Sequence, residues 1–403
     1  MPDTRAHVCR RPPSARTPLP PVLWALMVGN FVIGTGVMVV PGTLTDISQS
    51  LGVSIPKAGQ LITAAAILMG VGAPLFASLV AGWDRRRLLA LSLVWYGLLT
   101  LACALAPSYP ALLVLRVMAV VSPAIFTPQA AASVGLLVEP HQRGRAITFI
   151  FLGWSVASVM GMPLAAFIGG TLGWRWAFGL VGVLALASAW WVWRAMPDGV
   201  KPAALSRQAW GATLGSSALM MAVGVTLLSA FGQFTLFSYF APYLLQTLGL
   251  SGGSLSLMFL WFGAFGLLGN VMLSRWIDRI GAPRAVLFTL GAMAVCLLLW
   301  LLGRLGIWQQ ALVLVPWALG CFSANSAQQA RLVQLSPSLA SATVALNTSA
   351  MYGGQAMGAA LGGVMIASGQ MLELHWVGLV VLCSAMALSV WAASRQVRPM
   401  VAT

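Results

Sequence analysis

Charge is scarce in this chain. Of its 403 residues only 7% are Asp, Glu, Lys or Arg, against about 25% in a soluble domain. The shortage is greatest for acids: Asp3, Asp46, Asp84, Glu139, Asp198, Asp278 and Glu373 are all there are, and each falls in a tail, a loop or a helix end. An ordinary water-soluble enzyme is excluded. So is a disordered chain, which needs low hydrophobicity and high charge. The three histidines form no cluster, and the cysteines (Cys9, Cys103, Cys296, Cys321 and Cys383) are scattered without metal or disulfide spacing. There is no Walker loop and no HExxH. Nothing points to a metal, a cofactor, an ATP-driven pump or an enzyme. Apolar residues are what the chain has, at 59%.

Runs long enough to cross a bilayer, about 20 mostly apolar residues, recur throughout. They lie at 22–45, 57–81, 88–106, 110–137, 146–169, 174–193, 211–246, 254–274, 284–303, 308–330, 342–367 and 373–394. Barrel strands would alternate in polarity over about ten residues; these runs are longer and apolar all round. The predicted fold is an all-α membrane protein with twelve transmembrane helices.

The net charge of +15 could suggest a nucleic-acid partner, but its placement points to the membrane. With the N-terminus in the cytoplasm and twelve crossings, 18 Lys and Arg fall on the cytoplasmic side. Only Lys57, Arg175 and Arg304 fall outside, and Arg116 stays within a span. This is the positive-inside bias. It predicts cytoplasmic termini, with tails at 1–21 and 395–403, and no nucleic acid. The lipid bilayer is the expected partner of the apolar surface.

A polar, proline-bearing stretch at 195–209 reads as a cytoplasmic linker between six-helix halves at 22–194 and 210–394. An internal repeat supports the division. Asp84-Arg85 and Asp278-Arg279 stand 194 residues apart, Leu51-Gly52 and Leu248-Gly249 stand 197 apart, and Gln129-Ala130 and Gln329-Ala330 stand 200 apart. Two bundles related by pseudo-two-fold symmetry around a midplane cavity are the plan of a secondary transporter.

Within the second copy, Gly266 to Arg284 contains a glycine-bearing helix end, then Asp278-Arg279, Gly281 and Arg284. It resembles the signature loop of the major facilitator superfamily, and Gly82-Trp83-Asp84-Arg85-Arg86-Arg87 is a more degenerate copy. Gly153 to Gly170, with Gly161, Pro163 and Gly169, is similar to the antiporter motif of the drug:proton antiporter-1 branch. Ala58-Gly59-Gln60-Leu61 and Ala345 to Ala350 resemble its bacterial sugar-, purine- and drug-efflux members. The resemblance implies an alternating-access exporter of the bacterial inner membrane, moving a small sugar, nucleoside, purine or drug, with protons as the coupled partner. An uptake carrier or uncoupled facilitator, taking an anion at Arg116, is the alternative; a membrane enzyme or receptor lacks a catalytic cluster.

The resemblance also assigns roles. Asp84, Arg85, Asp278, Arg279, Gly281 and Arg284 become cytoplasmic gates, where an acid bonds a partner on a neighbouring helix while the outside is open. Arg116 matches the fourth-helix arginine, although Ala119 and Val120 replace the expected Gln and Gly. Val37, after Ile33-Gly34-Thr35-Gly36, stands where relatives often carry a first-helix acid. Asp46 is then the nearest candidate counter-ion, and Asp46, Glu139 and His375 are the candidates for proton coupling. Polar residues within the runs mark a cavity suited to hydroxylated or heterocyclic ligands: Asn30, Gln129, Gln233, Tyr239, Asn325, Gln328, Asn347, Tyr352 and Gln355. Bonding between helices would use the same residues. Gly354, Gly358 and Gly362, and the glycines of 153–169, predict smooth helix faces suited to rocking at the interface of the halves.

Overall fold

The computed structural model describes residues 20–80, 82–139, 143–201, 207–336 and 339–397. The far N-terminal tail with Cys9, linker residues 202–206, and the end of the chain after 397 lie outside the described residues. So does the side chain of Asp278.

The described chain is helical nearly throughout: α1 (Pro21–Ser50), α2 (Ile55–Leu79), α3 (Arg85–Ala104), α4 (Tyr109–Ala119), α5 (Val121–Leu137), α6 (Arg143–Leu172), α7 (Trp174–Ala195), α8 (Arg207–Gly215), α9 (Ser217–Phe237), α10 (Phe240–Leu248), α11 (Gly252–Ile280), α12 (Ala282–Leu298), α13 (Ile307–Leu335), α14 (Ala340–Ala367) and α15 (Leu374–Val397). Each predicted apolar run falls on this sequence of helices. Three runs are broken: 110–137 into α4 and α5, 211–246 into α8, α9 and α10, and 284–303 into α12 and a 3-10 turn at Trp300–Leu305.

Ten helical segments are long and apolar enough to cross a membrane, counting α4 with α5 and α9 with α10 as one each. Helix α12 is apolar but only 17 residues long. Helix α14 has 28 residues, diluted by glycines and by Asn347 and Gln355. In hydrocarbon the backbone has no solvent partner, so each segment must satisfy its own N–H and C=O groups, and a helix does so. Turn chemistry supplies the ends. Ser54, Asp84, Ser216 and Ser251 each accept from backbone N–H groups in the first turn of the following helix. Gly281, at φ +81, turns the chain between α11 and α12, where a side chain would be strained.

The packing recurs along the chain. Helix α1 lies along α6 as α9 lies along α14, and α3 lies along α7 as α12 lies along α15. Two long seams join early helices to late ones, α2 with α14 and α6 with α11, and α10 packs on α1. By the connections, one end of the molecule carries Arg85, Arg86, Arg87, Arg194, Lys201, Arg279, Arg284 and Arg331. The opposite end carries Lys57, Arg175 and Arg304.

The glycine faces do not sit where the sequence suggested. A Cβ on Gly354 or Gly358 would collide with the backbone of α9 near Leu227 and Phe231, and one on Gly153 would meet the α1 backbone at Met27 and Phe31. Both stripes therefore knit α1 to α6 and α9 to α14 rather than lining the α2–α14 and α6–α11 seams. Other glycines serve the seams: Gly70 against Ser349 and Gly353 on α14, Gly263 against Val159, and Gly170 against Gly252.

Gly153→Leu should lower the thermal midpoint of the detergent-purified protein by the few degrees that about 1–3 kcal/mol of overpacking represents. Gly179→Leu, at an open position on α7, should leave it unchanged. Equal midpoints for the two variants would contradict the α1–α6 contact.

Candidate functional site

Two hydrogen-bonded centres lie in the helix bundle. In the first, the buried Asn30 amide on α1 donates to the Ile150 carbonyl on α6 at 3.2 Å and accepts from the Thr127 hydroxyl on α5 at 2.9 Å. The Trp154 indole donates to Thr127 at 3.4 Å. In the second, Thr226 on α9 donates to Asn347 on α14 at 2.5 Å, and Asn347 donates to Asn325 on α13 at 3.1 Å. Gln328, also on α13, donates to the Ala222 carbonyl at 2.8 Å and to Thr226 at 3.1 Å. Buried amides must be paired, and here each pairing ties three helices together. Asn30, Gln328 and Asn347 are fully covered, so they hold helices together rather than line an open surface. Thr127, Trp154 and Thr226 complete these centres. Thr226 stands 196 residues after Asn30, close to the repeat offset of 197, which was the signal for it.

Polar groups with more freedom are fewer. Gln233 and Asn325 are half-buried, while Gln129, Tyr352 and Gln355 are almost covered. Arg116, two turns into α4, is 3% exposed. It donates to the Gly36 carbonyl on α1 at 2.9 Å, and its guanidinium carbon lies 6.0 Å from the Phe178 ring centre. Arg116 and Gln355 line a small cavity among α1, α2, α4 and α14, with Val37, Leu61, Met69 and Val120 among its walls.

Asp46 is not the partner of Arg116. It lies ten residues, nearly three turns, beyond Gly36 on α1, with its carboxylate against Gly169 of α6. There it lines an open cleft of about 490 Å³ with Gln49, Ser50, Trp174, Arg175 and Trp176. Helix geometry separates the two charges, because the arginine is drawn to a carbonyl on its own level of α1.

Tyr239 lies at the break between α9 and α10, and its ring closes the end that carries Lys57, Arg175 and Arg304. The hydroxyl donates to the Ala359 carbonyl of α14 at 2.7 Å, and the ring rests on Gly59 of α2 and Gly362 of α14. With α10 on α1, it seals the early helices to the late ones there. Helices α5 and α13 make no extended contact with each other.

At the arginine-rich end Asp84 accepts from the N–H groups of Arg86 (3.0 Å) and Arg87 (3.3 Å) at the start of α3. It also accepts from Gly199 N–H at 2.7 Å in the segment after α7. Arg86 bridges to Asp198 at 2.6 Å and to the Trp193 carbonyl at 2.7 Å. Buried Arg85 donates to the carbonyls of Val80 and Trp83. These bonds join the α2–α3 turn to the end of α7. In the other copy Arg279 and Arg284 are exposed on either side of the Gly281 turn. Arg331 was placed by sequence with the cytoplasmic charges, yet it is 1% exposed and donates to the Ser389 hydroxyl on α15 at 2.9 Å. Nothing in the sequence pairs those positions.

The family model of the Major Facilitator Superfamily matches residues 26–359 and 222–401. The chain is 33% identical over 280 residues to a chloramphenicol resistance protein of Streptomyces lividans, spanning 68% of this chain and 70% of the relative. It is 29% identical over 367 residues to a probable sugar efflux transporter of Helicobacter pylori, spanning 89% of this chain and 90% of the relative. Its fold resembles that of a D-xylose-proton symporter, with a TM-score of 0.72 at 17% identity over 92% of this chain and 96% of that one. A polytopic helical bundle with paired polar centres and matches along its length is thus a transporter, not an enzyme: the chain belongs to the major facilitator superfamily.

Proposed function

We propose that the protein crosses the bacterial inner membrane twelve times and exports a small uncharged organic molecule by alternating access. One observation carries this reading. The two hydrogen-bonded centres occupy equivalent helices: α1, α5 and α6 in one, α9, α13 and α14 in the other. Their matched positions Asn30/Thr226, Thr127/Asn325 and Ile150/Asn347 are 196, 198 and 197 residues apart. Two six-helix bundles, 22–194 and 210–394, joined by the linker 195–209, would each hold one rigid polar centre and face the other across the cargo path. The Helicobacter relative's name supports efflux. The positive-inside bias supports cytoplasmic termini, so Tyr239 and α10 seal the outer side and the path opens inward between α5 and α13.

Gln129, Gln233, Asn325, Tyr352 and Gln355 are the groups left to touch cargo. Amides and a phenol suit a sugar, nucleoside, purine or neutral drug, because they donate and accept without carrying charge. Coupling to protons is assigned to Asp46, the half-buried acid of α1. The loop residues Asp84, Arg85, Asp278, Arg279, Gly281 and Arg284 act as the cytoplasmic gate, and the bonds of Asp84 to the α7 end support the N-terminal part of it.

Asp46→Asn should abolish proton movement in substrate-loaded vesicles while the protein still inserts; wild-type acidification would remove Asp46 from coupling. Asp84→Asn keeps a helix cap of equal preference but loses the charge. Turnover should fall severalfold with the thermal midpoint nearly unchanged, and wild-type turnover would refute the gate.

A further inference from the structure

Arg116 poses an electrostatic problem. It is a guanidinium at membrane depth, almost completely covered, and no described carboxylate bonds to it. Charge buried at that depth is costly and needs a counterpart. Of the five donors a guanidinium carries, one reaches the Gly36 carbonyl; the Nε is buried with no hydrogen-bond partner. The same residue lines a cavity of about 10 Å³, room for one water-sized particle. The remaining polar wall is Gln355, whose amide bonds to no other described residue. Its other walls are apolar, Val37, Leu61 and Val120 among them.

We propose that Arg116 and Gln355 form a binding site for a small monovalent anion, with chloride as the occupant. A halide accepts several N–H donors at once and neutralises the buried charge; it is larger than a water, so the walls yield slightly to seat it. A neutral water could take the hydrogen bonds but would leave the charge in place. The site also spans the molecule: Arg116 is on α4, and Gln355 is on α14, across the α2–α14 seam. An anion held there clasps early helices to late ones and stabilises the arrangement seen, with the Tyr239 end closed. One oxygen of a carboxylate shares this chemistry, so a bound anion could be a halide or a small carboxylate from the medium.

The test needs no transport and stands or falls apart from the proposed cargo. The thermal midpoint of the purified full chain is measured at constant ionic strength, with sodium gluconate replaced stepwise by chloride, and separately by formate. Chloride should raise the midpoint of the wild type in proportion to the logarithm of its concentration above the dissociation constant. The rise should vanish in Arg116→Gln, shrink in Gln355→Leu and persist in Arg175→Gln, a surface control. A larger rise with formate than with chloride would support the anion site and assign it to a carboxylate group. No rise with either anion in the wild type overturns the proposal, as does a rise undiminished in both Arg116→Gln and Gln355→Leu. Should Arg116→Gln fail to fold, the wild type and Gln355→Leu decide.

Discussion

A polar group surrounded by hydrocarbon must find its partner inside the protein, and most of this structure follows from that constraint. It makes the spans helical, since a helix satisfies its own backbone. It draws Asn30, Thr127, Asn325, Gln328 and Asn347 into two sets of hydrogen bonds, which leave the Gln328 amide oxygen buried without a partner. It also explains why glycines lie where helices meet. Lipid offers little hydrophobic drive for helix association, so cohesion depends on close backbone approach and on these bonds. Gly153, Gly354 and Gly358 supply the approach; the amide centres supply the bonds. Both act between the same helices, α1 with α6 and α9 with α14.

Most of the architecture was legible in sequence because the same constraint writes itself into composition. A span cannot contain many charges, so apolar runs mark helices; each predicted run overlaps a helix, and ten segments of the described residues are long and apolar enough to cross a membrane. The breaks were less legible. Helix α9 gives way to α10 at Ser238–Tyr239 inside an unbroken apolar run, since a bend inside a packed bundle needs no change of polarity. The direction of a polar side chain was not legible at all. Asn30 and Gln355 read alike in sequence, yet one is fully bonded within its own half and the other faces a cavity. Which it is depends on what the neighbouring helix presents at that level, and no one-dimensional pattern carries that.

The basic residues show the same limit. Arg331 and Arg279 both belong to the arginine-rich end, but Arg279 is exposed and Arg331 is sealed against Ser389 of α15. Counting charges by side orients the chain well because the sum is insensitive to such details. Assigning a role to one arginine needs its partner. The proposed pairing of Arg116 with Asp46 failed for that reason: both sit in the outer part of their spans, but a carbonyl on the level of Arg116 was nearer than the acid.

Rigid contact along α1–α6 and α9–α14 and lighter contact at the Tyr239 end have a mechanical consequence. Substitution at Gly153 or Gly354 would drive a side chain into backbone, which cannot yield. Across the α6–α11 seam Gly170 meets Gly252 with space around both, whereas Gly263 sits tightly on the α6 backbone at Val159; at the closed end the contact with Gly59 is made by one tyrosine ring. Motion concentrates where the fewest interlocking atoms must separate. The internal seams would therefore survive a change of state, while the Tyr239 contact and α10 against α1 would part. Each polar centre joins helices of one half, so it would move as a unit with that half. Its hydrogen bonds would remain intact throughout the cycle. A bundle that kept its amides at the moving seam would have to break and desolvate them on each passage. Glycine and a single aromatic ring at the seam avoid that cost.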